Sequence, residues 1–134
     1  MKNLKEDKEL LLKDLCSRLP YGVKVGTADN DGSLENVWDM LWYNTFTEDV
    51  KLTHSIEDAD KIVDISETKP YLFPLSSMTE EQYKEYTDMG YSVTERWWSM
   101  ANYHQIEWFN KNHFDYRGLI PMGLAIDCTN LNIY

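Results

Sequence analysis

Three histidines are the side chains best suited to acid–base or metal chemistry: His54, His104 and His113. No two of them have the i, i+4 or short-loop spacing of a zinc site. A helix end could still bring His104 and His113 together with Asp115, and such a set would suit a metal-dependent hydrolase. The ordinary alternative places His113 at a helix C-terminus, where a partly positive imidazole is favourable. We therefore keep a metal-dependent enzyme as an alternative and expect no catalytic residue, metal or cofactor.

The two cysteines offer no nucleophile. Cys16 lies on the apolar face of a predicted helix, and Cys128 follows Asp127, whose negative charge raises the pKa of a thiol. Neither belongs to a C-x-x-C pair, and the serine-elbow, phosphate-loop and dinucleotide patterns are absent from the sequence. We expect both thiols to be reduced and buried, as is typical of a cytoplasmic protein. Apolar runs are too short to cross a membrane.

The stretch 29–32, Asp-Asn-Asp-Gly, has the composition of a calcium loop. With Gly32 at the sixth position of an EF-hand loop, the first ligand would be Thr27 and the twelfth would be Trp38, where a bidentate glutamate is required. The pattern therefore predicts a tight turn.

Negative charge is concentrated in one part of the chain. The net charge is −10, and residues 29–67 hold eleven acids against two bases, Lys51 and Lys61. Binding of nucleic acid through its phosphates needs a basic surface, so this acidic block argues against direct DNA or RNA binding. The block is either a solvated surface that maintains solubility or an acidic face that attracts a partner protein with a basic surface.

We take the second possibility as the site hypothesis. Seven carboxylates would supply long-range attraction: Glu35, Asp39, Glu48, Asp49, Glu57, Asp58 and Asp60. Trp38 and Trp42 would anchor the partner if they are exposed, although packing in the core is the commoner use of such large side chains.

Helical spacing of Leu11, Leu12, Leu15, Cys16 and Leu19 predicts an amphipathic helix over residues 8–19. Lys8, Glu9, Lys13, Asp14 and Arg18 would lie on its other faces. A Pro-Tyr-Gly stop follows at 20–22. Short alternating stretches predict strands at 23–25, 49–54 and 61–65. The spacing over 34–42 fits a helix as well as a strand, with Leu34, Trp38, Met40 and Trp42 on one face of the strand.

The second half of the chain predicts two helices. Residues 69–75 hold two prolines and predict an extended connector. Thr79 and Gln82 form a capping-box pattern before a helix over 80–88, and Asn102 and Gln105 form a similar pattern before a helix that ends near Lys111. Residues 91–101 fit either a strand or an extension of the second helix. The composition of residues 113–126 predicts a compact, packed C-terminal segment in which regular structure is interrupted at Gly118 and Gly123.

The expected fold is therefore a single domain over residues 1–134 of class α+β. It consists of an N-terminal helix, a small antiparallel sheet or SH3-like barrel, and C-terminal helices packed on it.

Three segments resemble a family of short uncharacterised proteins from gut Bacteroides-type bacteria and their phages. They are LPYGVKV at 19–25, KPYLFPLSSMTEE at 69–81 and IEWFNKNHFDYRGLI at 106–120. The resemblance implies a phage or mobile-element context, and it supplies no activity, cofactor or catalytic residue. It leaves out residues 29–68, which implies that the variable acidic block expresses the particular role.

The expected function is that of a non-enzymatic interaction protein of phage or prophage origin, which binds a host or phage protein through the acidic face. Alternatives from other classes are a virion or assembly component, a metal-dependent enzyme, and a small-ligand sponge with a pocket lined by Trp97, Trp98 and Arg117.

Overall fold

The computed structural model describes residues 4–27, 37–44, 46–54, 59–88, 103–131 and 133–134. Within these ranges the helices are α1 (Leu4–Arg18), α2 (Glu80–Thr87) and α3 (Tyr103–Lys111). The strands are β1 (Lys24–Thr27), β2 (Trp38–Asn44), β3 (Asp49–His54), β4 (Ala59–Asp64), β5 (Thr68–Pro74), β6 (Phe114–Asp115) and β7 (Ile126–Asp127). Short 3-10 turns occupy Leu19–Tyr21, Ile65–Glu67 and Leu75–Ser77.

The strands form one mostly antiparallel sheet in the order β4-β3-β2-β1-β5-β6, and β7 also pairs with β5. Pairing is antiparallel from β4 to β5, whereas β6 and β7 run parallel to β5. The predicted α+β class and antiparallel sheet are confirmed. The SH3-like barrel is wrong, because among the described strands β4, at one end of this order, pairs only with β3, so the sheet does not close on itself.

Helix α1 packs on one side of the sheet. Leu11 and Leu15 form a core with strand residues that include Val25, Val50 and Leu52. The predicted helix is confirmed and begins earlier than residue 8. Its polar faces were wrongly assigned at two positions, because Asp14 and Arg18 are fully buried. The C-terminal part of the chain covers the side of α1 that the sequence pattern leaves to solvent.

The segment 68–74 is a strand of the sheet rather than a connector. Its extended conformation was predicted correctly, but β5 is paired with β1, β6 and β7 within the sheet, with β6 and β7 on opposite edges of β5. Pro70 is paired with Val25, and the contact with β7 begins at Tyr71. A proline is tolerated there because its missing N–H falls where the parallel neighbour has not yet started.

Helix α2 begins at the predicted capping box. The Thr79 hydroxyl accepts from the Gln82 backbone N–H at 3.1 Å, and the Gln82 side-chain carbonyl accepts from the Thr79 N–H at 2.8 Å. Helix α3 agrees with its prediction over Tyr103–Lys111, while the proposed cap at Asn102 lies outside the described residues. Tyr86 of α2 stacks on Phe109 of α3, and a second, aromatic core results.

Several further predictions concern residues outside the described ranges. These are the turn at 29–32, the segment 91–101 with Trp97 and Trp98, and the site residues Glu35, Glu57 and Asp58. Among the described helices, none has the length and apolar character that a bilayer crossing requires.

Candidate functional site

Strands β2, β3 and β4 have one side against α1 and one side open to solvent. We call the open side the outer face. Its side chains form three rows across the ladder, namely Asp39, Thr53 and Asp60; Trp42, Lys51 and Ile62; and Asn44, Asp49 and Asp64. The burial of β3 alternates strictly, with Val50, Leu52 and His54 buried on the inner side. The outer face therefore carries four acids of the block, Asp39, Asp49, Asp60 and Asp64, and two large apolar side chains, Trp42 and Ile62.

A β-bulge turns Trp42 onto this face. Met40 is paired with Leu52, and Trp42 is paired with Lys51, so two residues of β2 advance while β3 advances by one. Leu41 is the extra residue, and beyond it Tyr43 points inward and packs against the core. Trp42 is consequently 40% exposed. The regular alternation expected from sequence would have placed Trp42 on the same side as Trp38 and Met40.

Trp38 belongs to the core and cannot serve as an anchor. It is 9% exposed, and its ring meets the buried His54 ring edge-on with centroids 4.8 Å apart. The Lys61 ammonium lies 4.2 Å from the centre of the Trp38 ring on the inner side of β4. One of the two bases of the acidic block is thus directed away from the outer face.

Two acids of the outer face, Asp39 and Asp60, are only loosely neutralised. Asp39 accepts a hydrogen bond from the Lys24 ammonium at 2.8 Å, and Asp60 lies 4.0 Å from the Lys51 ammonium. All four side chains are partly exposed. Pairs of this kind contribute about 0–1 kcal/mol and are screened by salt. They leave the carboxylates accessible to a partner.

Glu48 and Asp64 meet Lys8 of α1 at one end of the face. The Lys8 ammonium is 2.6 Å from Glu48 and 3.4 Å from Asp64. Glu48 has φ +56°, and its carbonyl accepts from the Ile65 N–H at 2.7 Å. Hydrogen bonds from the Ser66 hydroxyl and backbone N–H, together with Lys8, lower the pKa of Asp64. Lys8 thus links α1 to the β2–β3 turn through Glu48 and to the end of β4 through Asp64, which is a different use from the attraction predicted for Glu48.

The turn between β2 and β3 exposes an aromatic ring. Phe46 is 98% exposed, and the Asn44 side-chain oxygen accepts from the backbone N–H groups of Phe46 and Thr47 at 2.9 and 3.3 Å. Leu41 and Ile62 are also exposed, at 47% and 58%. Exposed apolar side chains on neighbouring strands and their turn are a recognised sign of an interaction surface.

The residues of the enzymatic alternative have separate environments. His104 is exposed on α3 and lines a shallow groove of about 340 Å³ with Tyr21 and Glu107. His113 stacks on Tyr134 with ring centroids 3.5 Å apart. Both Asp115 oxygens accept from backbone, one from Leu119 N–H and the other from Ile120 N–H, each at 2.9 Å. In the described part of the chain, no group of three or more His, Cys, Asp or Glu side chains is placed to hold a metal.

His113 is not the partly positive imidazole expected at a helix end. Burial lowers its pKa to about 4, and the charges of Arg18 and Lys24 act in the same direction. The imidazole is therefore neutral at pH 7.

Cys16 and Cys128 are both free thiols. Cys128 is buried. Burial raises the pKa of its thiol to about 12, and the negative charge of Asp127 contributes in the same direction. Cys16 is only half-buried, although the sequence pattern predicted that it would be buried.

Sequence reasoning missed the buried ionic cluster of Asp14, Arg18 and Arg117. Asp14 accepts from Arg18 at 2.8 Å and from Arg117 at 2.7 Å. Arg18 also donates to the Phe114 carbonyl at 2.7 Å. The i, i+4 spacing of Asp14 and Arg18 was the available signal, but it is equally common on exposed helix surfaces. Arg117 serves here as a link between the C-terminal segment and α1, and Trp97 and Trp98 of the proposed ligand pocket lie outside the described residues.

None of the family models, curated proteins or solved structures compared with this chain matches it.

Proposed function

We propose that this protein is a non-enzymatic accessory protein of phage or prophage origin, which acts in the cytoplasm by binding a host or phage protein with a basic surface. The binding site in this proposal is the outer face of β2, β3 and β4. The phage or prophage origin rests on the resemblance of segments 19–25, 69–81 and 106–120. The two free thiols fit a reducing compartment.

One observation supports the site above all: the bulge at Leu41 exposes Trp42 beside Lys51 and Ile62, in a row that lies between two rows that carry carboxylates. Tryptophan is enriched among the residues that dominate binding energy, and it acts best where surrounding groups exclude water. An apolar centre with a charged rim is the usual organisation of a protein interface.

The charges favour a basic partner. Asp39, Asp49, Asp60 and Asp64 belong to the outer face, against Lys51 within it, Lys24 beside it and Lys8 next to Asp64 at its end. Complementary charge accelerates encounter and orients the partner, and its contribution decreases as salt rises. The same field would repel the phosphates of DNA and RNA, so the proposal includes no direct nucleic-acid binding.

The test is affinity capture of the tagged protein from lysates of a Bacteroides host, with and without phage infection, washed at low and high salt. The parent protein is compared with Asp49→Lys/Asp60→Lys, which reverses two charges of the outer face. Glu81→Lys/Asp88→Lys is the matched control, because it changes net charge equally on exposed positions of α2. The proposal expects a partner that is lost in high salt and in the outer-face variant and is retained by the control. Equal capture by the three proteins would contradict it.

A further inference from the structure

We infer, on the basis of the proposed function, that the partner contributes an extended segment that adds to the sheet as a further strand beside β4. The segment carries an apolar residue, and a basic residue lies two positions before it and another two positions after it. Strand β4 is the last strand on its side of the sheet, and in the described part of the chain nothing pairs with its far edge. A strand in this position presents a row of backbone N–H and C=O groups that another chain can bind.

The side chains of β4 specify what such a strand must carry. Asp60, Ile62 and Asp64 are its outer-face residues, paired with Thr53, Lys51 and Asp49 of β3. An added strand would place its own alternate side chains beside these three. Opposite charges and apolar pairs directly across a ladder are each favourable by about 0.2–1 kcal/mol. The complementary pattern is Lys or Arg, an apolar residue, then Lys or Arg, with one residue between each.

A second copy of this chain fits the edge poorly. Antiparallel pairing of two β4 strands about Ile62 would place Asp60 of one copy opposite Asp64 of the other. Parallel pairing in register would place each aspartate against its equivalent. Like charges directly opposite are destabilising, so the acids that attract a basic strand also oppose self-association through this edge.

The inner side of β4 is already occupied. Val63 packs against the core, and Lys61 extends over the Trp38 ring. An added strand therefore gains its specific contacts on the outer face, where Ile62 is 58% exposed. The apolar residue of the added strand would extend the row of Trp42, Lys51 and Ile62 by one more strand.

The probe is a synthetic peptide, acetyl-Thr-Lys-Thr-Val-Thr-Lys-Thr-amide, whose pattern reads the same in both directions. Binding is followed by the backbone amide shifts and hydrogen exchange of the intact protein up to millimolar peptide. Two further peptides each carry three N-methyl groups, one on its two Lys residues and its Val residue and the other on its second, third and fourth Thr residues. In an added strand only one of these sets of N–H groups faces β4.

The inference expects slower exchange at amides of residues 59–64, and a loss of binding of tenfold or more for one methylated peptide but not for the other. A peptide with Glu in place of Lys should bind the parent more weakly and gain relative affinity for Asp60→Lys. Equal binding of both methylated peptides would overturn strand addition. It would instead indicate that the peptide contacts only the side chains of the outer face. Absence of any effect at 59–64 would also overturn strand addition, while the capture experiment above decides the proposed function separately.

Discussion

Trp42 lies directly across the β2–β3 ladder from Lys51, one residue beyond the bulge at Leu41. The next residue across the sheet is Ile62 of β4. The three side chains form a continuous outer row because the bulge reverses the facing of β2 at its midpoint. In a regular ladder with Leu41 paired to Lys51, Trp42 would point toward α1 and Tyr43 toward solvent.

The two tryptophans of β2 should therefore differ strongly in their effect on stability. Trp38→Ala removes a buried ring and should lower the free energy of unfolding by about 3–5 kcal/mol. Trp42→Ala removes a ring that is 40% exposed and should cost about 1 kcal/mol. Urea denaturation of both variants measures the difference. Equal losses would show that the bulge does not place Trp42 on the surface.

The ionic cluster should be essential to the attachment of α1. Asp14→Asn leaves the guanidinium groups of Arg18 and Arg117 without their carboxylate, and breaking a buried ion pair in this way costs about 3–5 kcal/mol. Glu9→Gln, on an exposed position of the same helix, should change stability by about 0.5 kcal/mol or less. Chemical denaturation of the two variants makes the comparison, and similar stabilities would contradict a structural role for the cluster.

Stability should depend on the protonation of His113. Its pKa is about 4 in the fold against an ordinary value of 6.5, so the unfolded chain takes up the proton first. The contribution of neutral His113 is complete above pH 6.5 and is lost as pH falls toward 4. With partial solvent screening we expect about 2 kcal/mol from this group.

Urea denaturation of the parent and His113→Gln at pH 6.5, 5.5 and 4.5 tests this expectation. The variant should show a shallower loss of stability with falling pH. His104→Gln, which removes an exposed imidazole on α3, should follow the parent. Parallel curves for the parent and His113→Gln would refute the assignment.

Thiol reactivity should separate the two cysteines. Burial raises the pKa of Cys128 to about 12, so its thiolate is scarce at pH 8, and its thiol is also inaccessible. Iodoacetamide at pH 8 should modify half-buried Cys16 first and reach Cys128 only after urea is added. Peptide mass spectrometry reads both sites. Equal labelling rates in the folded protein would be inconsistent with the packing of Cys128.

Local patterns predicted the elements whose stabilising contacts are close in sequence. The Thr79 capping box, the alternation of β3 and the apolar stripe of α1 depend on neighbours within a few residues, and each appears in the structure. The predictions failed where the structure depends on contacts between residues that are far apart in the sequence. Arg117 is 103 positions from Asp14, and that contact converts the polar side of α1 into an interior one.

The candidate site was predicted in its charge and in one of its two anchors, Trp42, which is exposed on the outer face. Asp39, Asp49 and Asp60 were selected from the acidic block and lie on the outer face, whereas Trp38 is buried and Glu48 is bound to Lys8. A single-residue bulge reverses every side chain beyond it, and nothing in the spacing of β2 marks its position. Ile62 was assigned to a strand, but its place on an edge followed only from the order of the sheet.

The most direct measurement of the central claim is quantitative capture with Trp42→Ala/Ile62→Thr beside Tyr83→Ala/Met122→Ala. Both pairs remove exposed apolar side chains, and only the first pair alters the outer face. Circular dichroism of each variant first establishes that it is folded. Our account predicts that the salt-sensitive partner captured by the parent is reduced tenfold or more with the first variant and retained with the second. Retention of the partner by the first variant would contradict binding through the outer face.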